Sequence, residues 1–157
     1  MQKITPFLWF DGKAEEAANF YASIFKNSRI VSISRYGEAR PAPKGTVMSV
    51  TFELDGQRFM ALNGGPQFTF TPAISLFVSC ETQEEVDELW EKLSAGGKKS
   101  RCGWLQDKYG LSWQIIPTAL GKLMGDSDPQ KSSRVMKAML QMDKIDIQRL
   151  QQAYRQP

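Results

Sequence analysis

The chain contains itself twice, and this internal repeat constrains its fold more than any other feature. Glu15-Glu16-Ala17-Ala18-Asn19-Phe20-Tyr21 corresponds to Glu84-Glu85-Val86-Asp87-Glu88-Leu89-Trp90. Each segment sets two acids ahead of an apolar, aromatic stripe at helical spacing, and acids at that end complement the positive pole of a helix. The spacing predicts helices over Ala14–Phe25 and Thr82–Ser94. Thr82 stands at the N-cap of the second, Glu85 completes a capping box three residues on, and Gly96-Gly97 ends it.

An apolar strand precedes each helix, Ile4–Phe10 and Ala73–Ser79. A weaker strand follows each helix, and then a hairpin. The first hairpin runs Thr46–Leu54, turns at Asp55-Gly56 and returns along Gln57–Leu62; Asp-Gly between apolar runs is a hairpin signal because both residues tolerate positive φ. The second runs Cys102–Gln106, turns up to Gly110 and returns along Leu111–Ile116. Aligning the two turn glycines sets Phe59-Met60-Ala61 against Trp113-Gln114-Ile115. The order is βαβββ, twice, which makes the chain α+β, with modules over about 1–66 and 67–117. Two such modules can place their sheets side by side as a curved, half-open sheet, helices outside, with a ligand cleft on the concave face. The Pro/Gly-rich stretch Gly37–Gly45 reads as a connector, with a lid or dimer contact as the alternative. Beyond Pro117, a helical extension over 118–157 is expected as Thr118–Met124, Asp128–Gln141 and Ile145–Tyr154. Its stripe of Met136, Met139, Leu140 and Met142 suits packing against the core or a partner subunit.

Composition removes whole classes of chemistry. The chain has no histidine, so Ser-His-Asp and Cys-His catalysis and imidazole-based metal sites are excluded. Cys80 and Cys102 are too few for a disulfide framework. The bases Lys98, Lys99 and Arg101, and Lys131, Arg134 and Lys137, lack the density and interleaved aromatics of a nucleic-acid surface, and the net charge is only +3. No apolar run is long enough to span a bilayer, and Asp11 interrupts the N-terminus too early for a secretion signal. The expectation is a cytoplasmic protein with no membrane or nucleic-acid partner.

The segments FLWFDGKAEEAANFY, LNGGPQF, CGWLQDKYGLSWQIIP and AMLQMDKIDIQRLQQAY together resemble the PhnB-like branch of the vicinal-oxygen-chelate superfamily, a branch that often carries the label "3-demethylubiquinone-9 3-methyltransferase". The superfamily includes glyoxalase I, extradiol dioxygenases, and bleomycin and fosfomycin resistance proteins. The resemblance implies paired βαβββ modules and a homodimer; it implies function only weakly, because the fold hosts metal enzymes and plain binders. The methyltransferase label fits poorly. A methyl donor would need a Gly-rich strand-to-helix turn, and the only candidate, Asn63-Gly64-Gly65-Pro66, leads through Phe68-Thr69-Phe70 to another strand.

In glyoxalase-like members, metal ligands come from the first and last strands of each module. Carried onto this sequence, those positions are Thr5, Ala73, Met60 and Gln114. Alanine offers no donor, a thioether is unsuited to nickel, zinc or magnesium, and one amide oxygen with one hydroxyl cannot hold a divalent ion. The expectation is no metal and no cofactor. The surrounding residues suit a small-molecule pocket instead, aromatic with a few polar groups: Thr5, Phe7, Trp9, Met60, Ser75, Phe77 and Gln114, with Trp104 added though its face depends on the turn. Gln114 is expected to point away from the helices and to bond Thr5, water or a ligand. The leading reading is a metal-free binder of a planar or aromatic molecule; the alternatives are an enzyme using Asp107 or Glu53 as base, both read as surface charges, and a dimeric scaffold.

Overall fold

Each repeat folds as its own four-stranded sheet with one helix. The computed structural model describes residues 2–38 and 42–156, and the chain divides into two units, Met1–Phe70 and Thr71–Pro157. Residues 39–41 of the Gly37–Gly45 stretch lie outside the described residues. Among the described residues, no helix is long and apolar enough to cross a membrane.

The first unit contains β1 (Phe7–Phe10), α1 (Ala14–Ile24), β2 (Arg29–Arg35), β3 (Val47–Leu54) and β4 (Gln57–Asn63), with strand order β1-β4-β3-β2. Strand β1 runs parallel to β4 and the other pairs are antiparallel. Alanines at 14, 17 and 18 let α1 approach the sheet closely, and Tyr21 packs over Phe52 with ring centroids 6.3 Å apart. Asp55 and Gly56 both take positive φ, 49° and 77°, as the two-residue hairpin requires. Strand β1 is shorter than the Ile4–Phe10 run because Pro6 has no N–H to extend the ladder; its carbonyl still accepts from Met60 N at 2.9 Å. Asn63 ties the sheet to the helix start: its Oδ1 accepts from Ala14 N at 2.8 Å and its Nδ2 donates to Val47 O at 3.1 Å, while Gly64 N donates to Phe10 O at 2.9 Å.

The second unit repeats the topology with β5 (Ser75–Cys80), α2 (Gln83–Ser94), β6 (Lys98–Lys99), β7 (Trp104–Gln106) and β8 (Ser112–Pro117), in the order β5-β8-β7-β6. Thr82 caps α2, its Oγ1 accepting from Glu85 N at 3.1 Å. The reciprocal bond differs from the expected capping box. Glu85 reaches one residue further out and accepts from Glu81 N at 2.8 Å. Strand β7 starts later than Cys102 because Cys102 and Gly103 take φ of 60° and 83°, outside the strand region.

The turn from β7 to β8 is built around Asp107. This side chain is buried, so its reading as a surface charge is corrected. One carboxylate oxygen accepts from Tyr109 N at 2.8 Å and Leu111 N at 3.1 Å, and the other accepts from the Trp113 indole N–H at 2.9 Å. Gly110 closes the turn at φ 87°. A buried charge is tolerable only when so satisfied, and here it fixes the register of β7 on β8, with Trp104 opposite Gln114.

Helices α3 (Thr118–Met124), α4 (Pro129–Leu140) and α5 (Ile147–Arg155) follow within the second unit. Asp128 caps α4 through Gln130 N at 2.9 Å and Asp146 caps α5 through Arg149 N at 3.1 Å. Ile116 from the end of β8 joins Leu120, Val135, Met142, Ile145 and Leu150 in one buried cluster. Backbone bonds fasten the extension to the module: Cys102 N to Met142 O and Gly103 N to Asp143 O, both 2.8 Å. The Gln83 amide adds bonds to Ile145 O at 3.0 Å and from Ile147 N at 2.8 Å. The methionine stripe divides accordingly. Met142 is buried and Met139 partly so, while Met136 and Leu140 are 37% and 48% exposed.

Replacing Asp107 by alanine strands three donors in a buried turn, and the expected cost is about 3 kcal/mol. Urea denaturation should show the midpoint falling accordingly; an unchanged midpoint would show that the turn holds without its carboxylate.

Candidate functional site

Strand alternation gives each sheet one face towards its helix and one away from it. In the second unit, Leu76, Trp113 and Leu105 lie side by side in register, and Trp113 and Leu105 are buried. The next row, Phe77, Gln114 and Trp104, therefore lies on the face away from α2. Gln114 points as alternation predicts, but its bond is to Ser75: Nε2 donates to Ser75 Oγ at 3.0 Å. The Gln114 carbonyl oxygen has no partner among the described residues. Two positions earlier on the same strand face, the Ser112 hydroxyl is buried and also has none.

A cavity of about 340 Å³ opens over this row. Phe77, Gln114 and Trp104 line its sheet side, and Leu120, Met124 and Met139 line the side formed by α3 and α4. Cys102 and Gly121 also border it. Of the expected site residues, the structure thus brings Ser75, Phe77, Trp104 and Gln114 together. The α3 and α4 residues were missed because their apolar spacing is also that of ordinary packing; the signal that singles them out is Gly121, a glycine in mid-helix.

The other expected residues belong to the first unit. Phe7 stands opposite Met60 in register and is 53% exposed. Thr5 is half-buried in the extended segment before β1. Trp9 is held by its own unit: its indole N–H donates to Gly65 O at 2.9 Å, and its ring meets Phe68 edge-on at 4.9 Å. Gly64 lies against the same ring, where a Cβ would come within 2.4 Å of it. Gly64 is thus required by Trp9 packing, and Gly65 by its φ of 99°. The segment Phe68–Phe70, expected to lead directly into a strand, is irregular and turns back so that Phe70 meets Phe10 at 5.3 Å. A separate cavity of about 430 Å³ in this unit, at the start of α1, is bordered by Asp11, Tyr36 and Asn63 and by none of the expected site residues.

The donors do not fit a divalent metal. Thr5 offers a neutral hydroxyl, Met60 a thioether and Ala73 nothing, which leaves the Gln114 carbonyl oxygen as a lone amide donor. Among the described residues, no three His, Cys, Asp or Glu side chains are grouped to hold an ion. The two candidate bases are engaged as well: Asp107 in the turn, and Glu53 in ion pairs with Arg29 at 2.9 Å and Arg58 at 3.6 Å.

Two four-stranded βαβββ modules in tandem define the class of protein. The profile of the family described as 3-demethylubiquinone-9 3-methyltransferase matches residues 2–116. The PhnB protein from Bacillus cereus is 52% identical, the match covering 74% of this chain and 99% of that one, with a TM-score of 0.69. The chain belongs to this PhnB-like family. Protein PA1353 from Pseudomonas aeruginosa is 17% identical over 74% of this chain and 98% of its own, with a TM-score of 0.63. The fosfomycin resistance protein FosX from Listeria monocytogenes is 16% identical over 74% and 93%, with a TM-score of 0.52. At these identities the likeness is one of fold. No functionally curated protein matches significantly. The family profile ends at Ile116, so the stretch AMLQMDKIDIQRLQQAY, counted with the resemblance, lies beyond the matched residues.

The two cysteines differ in kind. Cys80 is buried, and that burial, with Glu85 and Glu81 nearby, pushes its thiol up to about 12. Cys102 is half-buried at the cavity edge. Alkylation of the folded protein at pH 8 should therefore modify Cys102 and spare Cys80, with both reacting after unfolding. The sign of the pH effect follows. The unfolded chain releases the Cys80 proton near 9.0 and the folded chain near 12, so this contribution to stability is complete below pH 9 and is lost as pH rises from there towards 12. Replacing Cys80 by alanine should remove that part of the alkaline loss, measured as the melting temperature against pH.

Proposed function

We propose that this chain binds a small organic molecule without a metal, on the face of the second module that carries Phe77, Gln114 and Trp104. The carrying observation is that row: two aromatic side chains flank one amide whose carbonyl oxygen is unpaired. Apolar walls with a few placed polar groups are the usual make-up of a ligand site. Ser75 orients the amide, so a ligand with an N–H or O–H group completes its hydrogen bonding. The donor set argues against a divalent ion, and the use of Gly64-Gly65 for Trp9 packing argues against a methyl-donor loop. The engagement of Asp107 and Glu53 favours binding over acid–base catalysis by either.

The reading includes a homodimer in the cytoplasm. Once the inner side of α4 has packed on its own module, Met136 and Leu140 remain as apolar area for a second copy.

Thermal-shift screening of neutral aromatic compounds should yield ligands that raise the melting temperature, since binding only the folded state stabilises it. For any such ligand, Gln114→Leu should weaken binding about tenfold, the loss of one buried hydrogen bond, and Trp104→Ala should weaken it more. A shift unaffected by either change removes the row from the site. Elemental analysis of dialysed protein should find nickel, zinc, iron and manganese far below one per chain; a stoichiometric ion overturns the metal-free reading. Light scattering at micromolar concentration should give twice the 17.7 kDa chain mass, and a monomer mass rejects the dimer.

A further inference from the structure

We infer that the C-terminal helices, lying beyond the residues shared with the family profile, form the second wall of this ligand site and restrict it to a neutral, flat, apolar molecule bearing one hydrogen-bond donor. The inference rests on the reading that the ligand lies on the Phe77–Gln114–Trp104 row.

The wall is built from the extension and is firmly held. Leu120, Gly121 and Met124 of α3 and Met139 of α4 border the cavity opposite the sheet. Leu120 is also part of the buried cluster that joins Ile116 to the helices, and Met139 packs against it. The Cys102 and Gly103 backbone bonds hold the chain just after α4 against the same end of the sheet. The matched family residues stop at Ile116, and the Bacillus protein, covered over 99% of its length, leaves about a quarter of this chain unmatched. The shared fold supplies one side of the cavity, and this chain's extension supplies the other.

The lining sets the ligand's chemistry. Among the described residues, no Asp, Glu, Lys or Arg borders the cavity, so an anion or cation would lose its hydration without gaining a counter-charge. Trp104 and Phe77 offer aromatic surface, and Met124, Met139 and Cys102 offer polarisable sulfur, which packs well against ring edges. The unpaired Gln114 carbonyl asks for one donor. At about 340 Å³ the space suits a molecule of two or three rings.

Gly121 bears on access. Glycine inside a helix costs about 1 kcal/mol relative to alanine. Packing does not demand it here, because a Cβ at Gly121 would meet nothing within 4 Å. A side chain there would occupy the border of the cavity, which the glycine leaves open.

The test uses N-phenyl-1-naphthylamine, a neutral aromatic amine with one N–H whose fluorescence rises on leaving water. The full chain should bind it saturably, one per chain. Gly121→Phe should weaken binding at least tenfold while keeping the melting temperature, Gly121→Ala should bind as the parent does, and Gln114→Leu should also weaken binding. If Gln114→Leu weakens binding and Gly121→Phe does not, the sheet row binds without the helices: the wall is overturned and the underlying reading stands. If Gly121→Phe alone weakens binding, or neither change does, the underlying reading falls and this inference with it. Absence of any binding overturns the assigned ligand class. A second measurement needs no variant: saturating probe should slow alkylation of Cys102 at least fivefold, and an unchanged rate with probe bound overturns the inference.

Discussion

A single buried carboxylate sets the geometry on which the site depends. Asp107 collects two backbone N–H groups of its own turn and the indole N–H of Trp113. The first two bonds fix the turn's length, and the third pins the following strand to it. Because strand side chains alternate, one residue of slippage would carry Gln114 to the helix side and Trp113 to the open side. The placing of Phe77, Gln114 and Trp104 in one row is therefore a consequence of how Asp107 is satisfied. Within DKYGLSWQ, Asp107, Gly110 and Trp113 serve the turn, while Gln114 stands on the open face of the sheet.

The contrast between the two modules shows how one topology serves different ends. In the first, Trp9 on the away face is drawn into local packing, bonded to Gly65 and wedged against Gly64 and Phe68. In the second, the corresponding face keeps an amide with one end fixed and one end unpaired. The last strand of the first sheet carries the Met60 thioether, and that of the second carries the Gln114 amide.

Much of the fold is legible in the sequence because its signals are local. Thr82, Glu85 and the paired acids announce the helices, and Asp55-Gly56 announces the hairpin, each within a few residues of the structure it makes. What was not legible depends on contacts between distant residues. The face of Trp104 follows from a turn whose bonds run to Trp113. Asp107 looks like a surface charge until its three donors are counted. Gly64-Gly65 resembles a ligand loop until Trp9, far back in sequence, is found lying on it. The sequence points to Thr5, water or a ligand as the Gln114 partner, whereas Ser75, on the neighbouring strand, supplies the side-chain bond. The cavity wall was hidden for another reason: apolar residues at helical spacing read the same whether they fill a core or border a space.

The bond pattern at Asn63 also bears on how the protein ages. An Asn-Gly pair is the dipeptide most prone to deamidation, because the unhindered glycine nitrogen can attack the asparagine side-chain carbonyl and close a succinimide ring. Here that nitrogen is committed to the Phe10 carbonyl, and the Asn63 amide is tied at both ends, to Ala14 and Val47. Ring closure must first break these bonds, so the folded strand end shields its own weakest covalent link. Isoaspartate at position 63 would accumulate in proportion to the time each molecule has spent with this corner open, and its level in a stored sample would record the history of local unfolding.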